Sequence, residues 1–99
     1  MNISEKTLER ASMEIHILTQ DIHYERKNAK KQLDRIVADS AELGKMLQDP
    51  KFNQANMRDD LLMWIKQATG EYEASIKKAD TLEKSMQTLK TVISLIPRD

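Results

Sequence analysis

The sequence predicts an all-α protein. The expected form is an antiparallel hairpin of two long helices, coiled-coil-like, that completes a bundle by oligomerisation or by binding a partner. Three observations carry this. The 99 residues include only two glycines and two prolines, too few turn formers for an all-β chain. Apolar residues recur every three or four positions along both halves, the period of one helix face. Asp49-Pro50 separates the two periodic stretches. Proline ends a helix because it lacks an amide donor and clashes with the preceding turn. A chain of this length holds one domain, residues 1–99.

The first helix is expected over 4–48. Asn2 and Ser4 are good caps, and Asn2 with Glu5 has capping-box spacing. Its apolar seam reads Leu8, Ala11, Ile15, Leu18, Ile22, Ala29, Ile36, Leu43 and Leu47. Glu25 and Gln32 occupy seam slots, so the seam thins there, with Leu33 filling the gap one position over.

The connection is expected at 49–54. Asp49, Asn53 and Asn56 are candidate caps for the second helix, and Asp59 and Asp60 suit a positive first turn. That helix is expected over 55–96, ended by Pro97. Leu61, Ile65, Ala68, Tyr72, Ser75, Ala79, Leu82, Met86, Leu89, Ile93 and Ile96 step by alternating fours and threes. Gly70 is its weak point, costing about 1 kcal/mol relative to alanine. A break at Thr69-Gly70 is the alternative, giving three helices.

Folding the chain at residue 51 or 52 pairs positions whose numbers sum to about 103. Leu8 then faces Leu95, Leu18 faces Met86, Leu33 meets Gly70, Leu43 meets Leu61, and Ala29 falls opposite Ala74. Small residues meet at the waist and large ones at the ends, which favours the hairpin.

Two helices packed only on each other cover one narrow stripe each. Apolar residues exceed that stripe at both ends. Met13, Ile17, Val92 and Leu95 lie off the seam beside Leu18, Ile22, Leu89, Ile93 and Ile96. Near the turn the surplus is Val37, Met46, Phe52, Met57, Leu62 and Trp64. A second copy or a partner helix is the usual remedy. The expected protein interface is Met13, Ile17, Leu18, Ile22, Trp64, Leu89, Val92, Ile93, Leu95 and Ile96.

Sixteen basic residues balance sixteen acidic ones, so no steering of the whole protein toward nucleic acid or anionic membrane is expected. One local strip stands out: Arg26, Lys27, Lys30, Lys31 and Arg35. It reads either as a contact for nucleic acid or an acidic partner, or as the solvated back of an amphipathic helix, which is the simpler reading. Among aromatic residues only Tyr24 lies near it to stack on bases.

Chemistry finds little purchase. With no cysteine there is no thiolate nucleophile and no thiolate zinc site. His16 and His23 are seven apart, where metal ligation on a helix wants four. No Gly-rich phosphate loop is present, so no catalytic residue, cofactor, metal or small-molecule substrate is expected. No apolar run reaches the length of a signal peptide or a membrane span. A cytoplasmic location is expected, with signal-less secretion left open.

The expected function is a non-enzymatic interaction module, such as an adaptor, chaperone or inhibitor, with a homodimer the expected form. Residues 49–96, with their Asp49-Pro50 turn and amphipathic second helix, resemble the hairpins of type III secretion subunits and chaperones. The charged first helix is more similar to a chaperone than to a needle-type subunit. WXG-type secreted hairpins have Trp-x-Gly at the turn, whereas Trp64 here precedes Ile65 and Lys66. A phage- or plasmid-encoded inhibitor of a host machine fits the size equally, and a dimeric nucleic-acid-binding regulator using the Arg26–Arg35 strip is a further alternative.

Overall fold

The computed structural model describes residues 5–48 and 55–96. Two helices, α1 (Glu5–Gln48) and α2 (Ala55–Leu95), pack against each other along their whole length as an extended hairpin. The proposed caps Asn2, Ser4, Asp49 and Asn53, the Asp49-Pro50 turn, Phe52 and Pro97 lie outside the described residues.

α2 runs through Gly70 without a break, so the three-helix alternative does not hold. A β-carbon at Gly70 would meet nothing within 4 Å. The roughly 1 kcal/mol helix cost of glycine is too small to interrupt packing on both sides of it. Asn56 is the second residue of α2 rather than its cap, and Asp59 and Asp60 fall beyond the first turn. Thr19, Thr69, Thr81 and Thr88 return their hydroxyls to the carbonyl four residues back, at 2.7–3.0 Å. Their polar atoms are thus satisfied within the helix. At the end of α2 the Ile96 amide donates to the Ile93 carbonyl at 3.3 Å, tightening the last turn.

The seam of α1 is a strict alternation of threes and fours. Leu8, Ile15, Ile22, Ala29, Ile36 and Leu43 form one seven-residue column, and Ala11, Leu18, Glu25, Gln32, Asp39 and Met46 form the other; all are buried or half-buried. Two expectations are corrected. Met46 is 4% exposed and Leu47 is 61% exposed, because three steps from Leu43 reach the seam and four reach the flank. Leu33 does not fill the gap at Gln32. It is 43% exposed, while Glu25 and Gln32 keep their own slots.

Cross-helix contacts set the register. The Asn28 amide donates to Ser75 Oγ at 2.7 Å, and Lys78 Nζ lies 3.2 Å from Glu25 Oε1. Both pairs sum to 103, as expected from the fold at the turn. Thr19 Oγ1 adds a contact to Met86 Sδ at 3.3 Å. The waist is built from Ala29, Ala68, Ser75 and Ala79, all buried. Three of the expected opposites do not pair in the seam, since Ala74, Gly70 and Leu95 are exposed. At a shared height the seam residues interdigitate, so the facing residue is offset by a position.

Candidate interaction surface

Seven residues make two turns, so residues seven apart share a column on each helix. The cross-helix ion pairs then identify the two flanks of the hairpin. Arg26 pairs with Glu83 on one flank; Lys78 reaches Glu25 from the other.

Following the Arg26–Glu83 flank toward the turn gives Leu33, Ser40 and Leu47 on α1, and Ile76, Thr69 and Leu62 on α2. Leu33, Leu47 and Leu62 are exposed, and Thr69 and Ile76 are half-buried. Val37 and Gly44 border this surface on α1. Thr69 commits its hydroxyl to the Ile65 carbonyl, so that hydroxyl is satisfied within the helix. The half of this flank near the turn is therefore apolar, with small residues at its centre.

The Lys78 flank differs. Its α2 column reads Met57, Trp64, Glu71, Lys78, Ser85 and Val92. Apolar residues stand at both ends and charges between them.

The expected interface divides into two sets. Ile22 is buried, and Leu18, Leu89, Ile93 and Ile96 are half-buried in the seam between α1 and α2. Met13, Ile17, Trp64, Val92 and Leu95 are exposed. The exposed set does not form one patch, since Trp64 and Val92 lie four column steps apart with Glu71 and Lys78 between them. Of the flank of Leu33, Leu47, Leu62 and Ile76, only Leu62 is among the surplus apolar residues expected near the turn, and none is in the expected interface. Its signal is present, because both same-helix pairs are fourteen apart, but Leu33 reads as a seam residue until both helices are placed.

The five cations of the basic strip do not share a face. Arg26 is held on one flank by Glu83, and Arg35 Nε lies 3.9 Å from Asp39 Oδ2 on the other. Lys27, Lys30 and Lys31 occupy the back of α1 with Tyr24, Asn28 and Asp34, around a depression of about 500 Å³ formed by this single helix. Lys27 and Lys31 are exposed and stand away from the seam. Changing both to glutamine should leave helicity and melting within about 0.5 kcal/mol of the parent, as checked by circular dichroism.

His16 and His23 are exposed. Among the described residues, no three of His, Cys, Asp and Glu stand where they could hold a metal ion. No described helix is long and apolar enough to cross a membrane. Compared with known family models, curated proteins and solved structures, the chain finds no match.

Proposed function

We propose that this protein is a non-enzymatic interaction module, coiled-coil-like, whose hairpin buries its outward apolar residues against another protein surface or a second copy of itself. The supporting observation is the number of large apolar side chains left exposed after α1 and α2 have packed. Met13, Val37, Leu47, Met63 and Leu95 are each more than half exposed, and Leu62 and Trp64 are 48% and 40% exposed. Single exposed apolar residues are normal on any protein, whereas neighbouring ones mark contact surfaces, and of these Leu47 and Leu62 share one flank with Val37 at its border. A pair of helices also leaves the outer side of its seam wet, and a bundle covers it. In this reading the protein acts as an adaptor, chaperone or inhibitor.

Light scattering at micromolar concentration tests self-association, with the expected particle about twice the 11.5 kDa chain mass. Quantitative affinity capture with and without Trp64→Ala tests a foreign partner, because tryptophan concentrates binding energy where it anchors an interface. A stable monomer that captures nothing sensitive to the exposed residues would overturn the module reading altogether.

A further inference from the structure

We infer that a second copy of this chain covers the flank carrying Leu33, Leu47, Leu62 and Ile76. The two hairpins lie side by side with their turns at the same end, and α1 of each copy packs on α2 of the other. This rests on the interaction reading above and names its partner and geometry.

The apolar flank mixes large and small side chains. Its own columns hold Leu33, Leu47, Leu62 and Ile76 around the small Ser40 and Thr69, and Gly44 stands on its α1 border. Gly44 costs about 1 kcal/mol relative to alanine in a helix. A β-carbon there would meet nothing within 4 Å, so nothing inside the hairpin asks for glycine. An approaching outside helix gains from its absence. The hairpin measures 75 Å by 15 Å, so one long face offers roughly 1,000 Å² per copy, above the ~800 Å² per partner of a standard interface. A dimer restricted to the apolar half would fall short of that, so the two copies must align along their length.

Charge selects the orientation. The outer columns bordering this flank are His23, Lys30, Val37 and Gly44 on α1, and Asp80, Glu73, Lys66 and Asp59 on α2. With turns together, residues at equal height meet across the copies, and equal height means numbers summing to between 103, as in Glu25–Lys78, and 109, as in Arg26–Glu83. Lys30 then meets Glu73 of the second copy and His23 meets its Asp80. Val37 lies along the stem of Lys66, and Gly44 stands beside Asp59. The Arg26–Glu83 pairs of the two copies close into a ring of alternating sign. No like charges face each other in these columns. Inverting one copy about the height of Val37 instead sets Lys66 against Lys66, Glu73 against Asp59, and Arg26 against Leu47. Like-charge juxtaposition at an interface is strongly unfavourable, so this inverted register is rejected.

The chain has no cysteine, which makes single-cysteine variants clean probes. Equimolar Gly44→Cys and Asp59→Cys chains, mixed and oxidised, are expected to form the mixed disulfide. Val37→Cys alone is expected to form none. By light scattering, Leu62→Glu is expected to be monomeric with its helicity retained. Lys30→Glu should weaken the dimer roughly tenfold, and adding Glu73→Lys should restore it. Within one chain these two residues sit on opposite outer borders of the flank, so the rescue reads only the contact between copies. A Val37–Val37 disulfide would overturn the orientation. A doubled mass indifferent to Leu62→Glu and lacking the 44–59 disulfide would overturn this flank while leaving the interaction module standing. A parent chain that stays monomeric overturns the dimer, and the foreign-partner capture then decides the module reading separately.

Discussion

Replacing Ile22 by alanine should lower stability by about 3 kcal/mol, read as a fall in the urea midpoint followed by circular dichroism. Ile22 is 5% exposed and sits where Thr19 and Met86 meet across the seam. The truncation removes buried methyl groups and leaves a void that two straight helices cannot close without shifting their whole register. A two-layer structure has no second core to absorb the loss. Total stability of small domains is about 5–15 kcal/mol, so the variant is expected to melt at a much lower temperature. Trp64→Ala provides the contrast. Its side chain is 40% exposed on a flank rather than in the seam, and its folding cost should be well under that of Ile22→Ala. A Trp64→Ala variant that unfolds as readily as Ile22→Ala would show that the flanks are assigned wrongly.

The second large effect has the opposite sign. Changing Gln32 to leucine should stabilise the hairpin by about 1–3 kcal/mol. Gln32 Oε1 and Asp39 Oδ2 are buried with no hydrogen-bond donor. Glu25, one column step before Gln32, is better placed because Lys78 reaches it. Three polar residues thus occupy consecutive slots of one seam column; Lys78 and Arg35 lie beside the two carboxylates, and the Gln32 amide oxygen bears its desolvation cost without a donor. Their counterpart benefit is register. A seven-residue slip of α2 would strip Glu25 of Lys78 and part Asn28 from Ser75, whereas an all-leucine column would tolerate it. The stabilised variant should therefore also populate additional oligomers, visible as mass heterogeneity in native mass spectrometry. A Gln32→Leu variant of lower melting temperature would contradict the burial of an unpaired amide oxygen.

Much of this architecture is readable from spacing alone. The alternating threes and fours from Leu61 to Ile96 specify α2 residue by residue, and the sum of 103 anticipates both the Asn28–Ser75 and Glu25–Lys78 contacts. Spacing misleads where hydrophobicity and position disagree. Leu47 is more apolar than its slot, and Met46 holds the slot. Asp39 has a seam position that its charge disguises. Cross-strip pairing is also hidden, because Arg26 and Glu83 are 57 residues apart and only the packed register brings them together. For the same reason the basic strip reads as one surface although its ends belong to opposite flanks. The outward apolar flank is the hardest to see, since it needs both helices to be placed before Leu33 and Ile76 can share a face.

The elongated shape has a practical consequence for weighing the particle. The radius of gyration is 21.9 Å, a value that a compact globule would reach only at roughly 400 residues. On a sizing column the lone hairpin will therefore elute early, at the position of a globular protein several times its mass. Two hairpins lying side by side add width but almost no length, so the elution shift between one copy and two will be small. A column trace alone would mistake the single chain for an assembly and then miss the assembly when it forms. Sedimentation read together with diffusion, or scattering intensity, reports mass without that confusion.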